Sequence, residues 1–169
     1  MRDENCIFCK IAGGEIPTTT LYEDDDFRVI LDVAPATKGH ALILSKEHYR
    51  NLYDLDSQLA GKALILAQQM TNKLKEALGC AGFNIVQNNE AVAGQTVFHF
   101  HIHLIPRYVG DAAGISWKSG KLSEADRDEI VDLISGKDKR DNINANKTPS
   151  REIKTAQAKM KDYIERHGE

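Results

Sequence analysis

Apolar positions recur every second residue in some stretches of this chain and every third or fourth in others, and the two periods divide it into strands and helices. Alternating or continuous apolar character marks five strands: Thr18 to Glu23, Phe27 to Asp32, His40 to Ser45, Phe83 to Gln87 and Val97 to Ile105. The acidic run Asp24-Asp25-Asp26 reads as a hairpin joining the first two, and Pro106, with no N–H to give to a ladder, is expected to end the fifth. The helical period is clearest between an N-cap at Asp56 or Ser57 and a stop at Gly79, with Leu59, Ala63, Leu66, Met70, Leu74 and Leu78 on one stripe. Shorter helices are expected over residues 6–12, stopped by Gly13-Gly14, and from a Ser123 cap through Ile134, ended by Gly136. Residues 32–39 and 88–95 carry loop signals, and Lys46 to Tyr53 has room for one or two helical turns.

These elements predict an α+β fold, a five-stranded antiparallel meander sheet with one long helix on one face and the histidines of the last strand on the other. The domain is expected over residues 1–136. A polar, unpatterned linker follows at 137–149, then a C-terminal amphipathic helix within 150–169 with Ile153, Ala156, Met160 and Ile164 on one side.

Composition narrows the function classes. The chain has 169 residues, 41% of them apolar and 28% charged, with a net charge of −3, which favours neither a nucleic-acid duplex nor an anionic membrane as partner. No apolar run approaches the roughly 20 residues that span a bilayer, and the charged start Met1-Arg2-Asp3-Glu4-Asn5 lacks a signal segment, so a cytoplasmic protein is expected. Three cysteines are too few for a disulfide framework.

Candidate chemistry sits in the fifth strand. His99, His101 and His103 alternate with Phe98, Phe100, Ile102 and Leu104, so the three imidazoles share one face at steps of about 6.5–7 Å. A merely solvated face would mix Thr, Lys, Glu and Arg; three imidazoles point to a metal, a phosphate or nucleophilic chemistry. Adjacent histidines cannot all be protonated cheaply, so at least one stays neutral and nucleophilic, while a protonated neighbour can serve a leaving group. The preceding loop offers Asn88, Asn89, Gly94, Gln95 and Thr96 as donors suited to phosphate oxygens. Cys6 and Cys9 form C-x-x-C, a zinc half-site that His48 and His99 would complete as Cys₂His₂. A redox dithiol and a metal on all three strand histidines are the alternatives, although three histidines on nearly straight spacing chelate one ion poorly.

The run Gly94-Gln95-Thr96-Val97-Phe98-His99-Phe100-His101-Ile102-His103-Leu104-Ile105-Pro106-Arg107 resembles the signature of the histidine triad (HIT) superfamily. Cys6-Ile7-Phe8-Cys9-Lys10-Ile11 with Gly14-Glu15-Ile16-Pro17 resembles the opening of its Hint-type branch, including bacterial members with a zinc site. Asp32 through His40, then Lys46-Glu47-His48, resemble the second motif block, with Glu90 where a glycine is common and Ser45 in place of a usual proline.

The resemblance implies a HIT-like fold and a homodimer that binds a purine nucleotide or nucleotide conjugate. It implies a hydrolase acting on the α-phosphorus of purine nucleoside 5′-phosphoramidates or related phosphoanhydrides through a nucleotidyl-histidine. His101 would be the nucleophile, His103 its support, and His99 a ligand of structural zinc with Cys6, Cys9 and His48; no catalytic cofactor is implied. Asp32 would hold the ribose, and Ile7, Phe8, Ile11, Ile30 and Val33 would line the base pocket. His40, Asn88, Gly94, Gln95 and Thr96 would stand near the phosphate and the triad. A dinucleoside polyphosphate hydrolase or nucleotidyl transferase is the alternative enzyme, and a nucleotide-binding regulatory or adaptor protein the alternative outside enzymes.

Overall fold

The computed structural model describes residues 2–136. They fall into two units, one ending at Trp117 and one beginning at Lys118. The expected linker at 137–149 and the helix at 150–169 lie outside the described residues.

The first unit opens with helix α1 (Ile7–Ala12), which Cys6 precedes in extended conformation and Gly13 closes. Strands β1 (Thr20–Glu23) and β2 (Phe27–Leu31) form the expected hairpin. Its turn is held by the Asp24 carboxylate, which accepts the N–H groups of Asp26 and Phe27. Strand β3 (Ala41–Ser45) is buried throughout. Helix α2 (Ser57–Leu78) starts where the Asp56 side chain accepts from Gln58 N and Leu59 N, and stops at Gly79 in the left-handed conformation. Strand β4 (Gly82–Val86), a 3₁₀ turn (Ala91–Ala93) and strand β5 (His101–Arg107) complete the sheet.

The sheet order is β1-β2-β3-β5-β4, with every neighbouring pair antiparallel. The expected sheet and covering helix are present, and α2 sets the order. It carries the chain past one position, so β4 takes an edge and β5 is inserted between β3 and β4. The histidine strand is thereby central. Phe100, Ile102 and Leu104 pack with Val29, Ile43, Leu66 and Met70 on the helix side; burying such side chains is worth about 1.5–3 kcal/mol each. On the other side Ile11, Ala12, Ile30, Leu42 and Leu44 form a second cluster beneath α1.

Two expectations about the fifth strand are corrected. It begins at His101, because Val97–His99 bend, and it continues through Pro106 to Arg107. Proline is tolerated because β3 starts only at Ala41, opposite Leu104. Past that point no strand asks for an N–H on that side, and the Pro106 carbonyl instead accepts the Thr37 hydroxyl at 2.5 Å.

The loop before β3 has a second anchor in Gly39. This residue has φ +86°, and a Cβ there would collide with Cδ1 of Leu78, the last residue of α2. In the second unit, helix α3 (Glu124–Ser135) begins at the expected Ser123 through a capping box with Asp126 and ends at Gly136.

Candidate active site

β5 presents His101 and His103 opposite Leu44 and Leu42, on the face away from α2. The strand pleat sets this face, and the two rings tilt to 73° with centroids 5.0 Å apart. The hydrogen bonds determine which nitrogen carries each proton. His101 Nδ1 lies 2.6 Å from the His99 carbonyl, which can only accept, so Nδ1 is protonated and neutral His101 keeps its lone pair on Nε2. Ala36 N donates to His40 Nδ1 at 3.1 Å, so the His40 proton is on Nε2 and points at His103 Nδ1, 2.9 Å away. His103 in turn carries its proton on Nε2, which leaves that N–H for a ligand.

All of these rings are held neutral. Burial is the main cause of the lowered pKa of His101 and of His40, opposed at His101 by the bond to the His99 carbonyl and at both by Asp32. His103 is pushed down to about 4 by burial and then by His101 and His40. The expectation of a protonated neighbour serving the leaving group gives way to neutral N–H donors. Asp32 uses Oδ1 to accept Ala34 N at 2.8 Å, while Oδ2 stands 3.6 Å from His40 Nε2, too far for a hydrogen bond.

His99 belongs to a different cluster. Its Nε2–H donates to the Ser45 carbonyl at 2.8 Å, which turns Nδ1 toward Cys6 Sγ and Cys9 Sγ, each 3.5 Å away. His48 Nδ1 lies 3.3 Å from Cys9 Sγ, and one donor atom from each of the four residues lies within 4.8 Å of the others. A tetrahedral zinc with ordinary bond lengths separates sulfur from nitrogen by about 3.5 Å, so the donor set fits such an ion. Asp3 N also donates to Cys9 Sγ at 3.3 Å, and the carbonyl bond of His99 is the outer support that metal-bound imidazoles take.

The other expected residues divide. Phe8 meets His101 edge-on at 5.1 Å, and Ile11 and Ile30 are buried beside it in the second core cluster. Ile7 is half exposed and Val33 is 93% exposed, so Val33 makes no wall in the free chain. Asn88 lines a cleft of about 390 Å³ with His40, His103, Val86, Ile105 and residues 114–117. Asn89 is instead committed within the protein, accepting Leu52 N and donating to Gln87, which separates the two adjacent asparagines. Gln95 is buried, with Nε2 donating to the Arg50 and Val97 carbonyls and Oε1 accepting Glu90 N. Its side chain therefore braces the loop, and its backbone N–H is taken by the Glu90 carbonyl at 3.1 Å, so Gln95 acts on the site by holding the loop. Thr96 is exposed on a second cleft, beside His48, Arg50 and Phe98. The Ser45 carbonyl and the Arg50–Asn51 segment escaped the sequence reading because their partners are distant in the chain.

This geometry agrees with what the chain resembles. A family model described as the HIT domain matches residues 13–110, more than half of the chain. The chain belongs to the HIT family. It is 41% identical to the Hit protein of Bacillus subtilis over 117 residues, covering 69% of this chain and 81% of that one. It is 36% identical to an adenosine 5′-monophosphoramidase of Schizosaccharomyces pombe, covering 79% and 98%, and 41% identical to an adenylylsulfatase of Arabidopsis thaliana, covering 70% and 58%. Among solved structures, a HIT family protein of Bacillus anthracis superposes with a TM-score of 0.74 at 38% identity, covering 80% of this chain and 99% of that one. A zinc-bound histidine triad protein of Mycobacterium smegmatis gives 0.62 at 33% identity, covering 79% and 98%.

Proposed function

We propose that this HIT protein hydrolyses purine nucleoside 5′-phosphoramidates or related phosphoanhydrides at the α-phosphorus. The observation that carries the reading is the bond from His101 Nδ1 to the His99 carbonyl, because it aims an unprotonated Nε2 away from the strand. That lone pair attacks phosphorus and the bond to the leaving group breaks. His103, its tautomer set by His40, donates from Nε2 to a phosphate oxygen as charge gathers there. The P–N bond breaks as the amine takes a proton from solvent; water then attacks phosphorus, displaces His101 Nε2 and returns a proton to solvent, releasing the nucleoside monophosphate. Asp32 Oδ2 accepts from the ribose, and Phe8, Ile11 and Ile30 offer an apolar seat for the base. The names of the fission-yeast and Arabidopsis relatives, a phosphoramidase and a sulfatase of adenylyl compounds, support this substrate class.

Zinc is the ion we assign to Cys6, Cys9, His48 and His99, supported by the fit of the donor set and by the zinc-bound relative. When bound, it supplies a structural clamp between α1 and the start of the histidine strand. We further propose a homodimer. β4 is a sheet edge, and Ile85 on it continues into exposed Leu64 and Ile65 of α2, a self-complementary strip that a twofold could close.

The deciding experiment mixes the protein with adenosine 5′-phosphoramidate and follows AMP, with acid-quenched samples weighed intact. AMP formation and a transient adenylylated protein, both lost in His101→Ala, are expected. No turnover of phosphoramidate, diadenosine polyphosphate or adenylyl sulfate would leave the chain a nucleotide-binding protein.

A further inference from the structure

Glu90 is the only residue other than glycine with positive φ among the described residues, at φ 72° and ψ 159°. That region is essentially reserved for glycine, since a Cβ crowds the backbone there. The loop that holds Glu90 also carries Asn88, which lines the cleft with His40 and His103. An unfavourable conformation two residues along the loop from that cleft residue persists only if its surroundings hold it.

The holding contacts can be named. One carboxylate oxygen of Glu90 accepts Asn51 Nδ2 at 2.8 Å, and the other pairs with Arg50 Nη2 at 3.0 Å. Asn51 is fully buried and fixed in turn by Tyr53 N, which donates to its Oδ1. Arg50 is steadied by the Phe98 ring, 4.2 Å beneath its guanidinium. The Glu90 backbone is closed on Gln95 from both sides: Glu90 N donates to Oε1 at 2.9 Å, and the Glu90 carbonyl accepts Gln95 N at 3.1 Å. Gln95 Nε2 then returns to the Arg50 carbonyl at 2.7 Å. Loop and segment 50–51 thus form one closed ring of bonds.

We infer that Glu90 is a positioning residue: clamped by Arg50 and Asn51, its side chain holds the phosphate-facing loop in a shape that glycine would adopt unaided. The inference rests on the proposed phosphoryl chemistry and concerns how the loop is kept in place for it. The clamp then matters only while residue 90 carries a Cβ. Alanine keeps the crowding and loses the clamp, so the loop relaxes away from the imidazoles. Glycine loses the clamp and the crowding together.

The test measures kcat/KM for adenosine 5′-phosphoramidate and the dissociation constant of AMP, at a temperature well below each variant's melting point. Glu90→Ala should lose on the order of tenfold or more in kcat/KM and weaken AMP, while Glu90→Gly recovers most of both. Arg50→Ala should cost several-fold in the parent and little when combined with Glu90→Gly. Equal losses for alanine and glycine, equal effects of Arg50→Ala in both backgrounds, or a fully active Glu90→Ala would each overturn the inference. A parent protein that turns over none of the proposed substrates would instead overturn the functional reading and take this inference with it.

Discussion

His40 Nε2 and His103 Nδ1 stand 2.9 Å apart, and the bond between them runs in one direction because Ala36 N–H occupies His40 Nδ1. His40 therefore acts through His103, fixing its tautomer and ring plane. His40→Ala should lower kcat on the order of 10 to 100-fold with KM little changed, the scale expected when a reacting group is slightly misplaced. Steady-state kinetics on the purified variant checks it, and a loss confined to KM would count against the role.

The depressed pKa of His103 has a thermodynamic sign. Its folded value of about 4 lies below the usual unfolded value near 6.5, so the unfolded chain takes up this proton first as pH falls. The stability held in the neutral ring is complete above about 6.5 and is lost as pH falls from there through about 4. Urea midpoints should decline over that window. His103→Gln, uncharged throughout, should flatten part of the decline.

Metal content is a separate expectation. Freshly purified protein should carry about one zinc per chain, and a strong chelator should lower the melting temperature by on the order of 10 °C. Cys9→Ser should lose the metal and melt near the chelated parent. Elemental analysis with thermal melts reads both, and a metal-free parent insensitive to chelator would refute the zinc assignment.

Asp32 has one carboxylate oxygen committed to Ala34 N, while the other stands 3.6 Å from His40 Nε2 without a hydrogen bond to it, and the proposed reading gives that oxygen to the ribose. Asp32→Asn should raise KM by about tenfold, the scale of a hydrogen bond to a charged group. A 2′-deoxy substrate should lose a similar factor in the parent and little more in the variant. Additive losses would place the ribose elsewhere.

Much of the fold was legible because its elements carry local signals. Asp56 and Gly79 bracket α2, and the alternation of Phe100, Ile102 and Leu104 with the histidines assigns both faces of β5. The beginning and end of that strand were not legible. Whether Val97–His99 pair and whether Pro106 interrupts depend on where β3 stops and where it starts, which are properties of a partner strand. In the site, the motif grouped Gln95 with phosphate donors, yet its side chain is consumed by Arg50, Val97 and Glu90, contacts that only the folded loop creates. The difference between His99 and His101 likewise comes from a carbonyl on another strand, that of Ser45.

Gly39 seats the loop before His40 against Leu78, the final residue of a 22-residue helix. The length of α2 is therefore inherited as a dimension of the histidine site. One residue added or removed within it would swing the Leu78 methyl by about 100° around the helix axis, and the seat would no longer lie under the loop. Variation in α2 is expected to run through substitutions on its outer side and to avoid insertions, although nothing along that helix needs to touch a nucleotide.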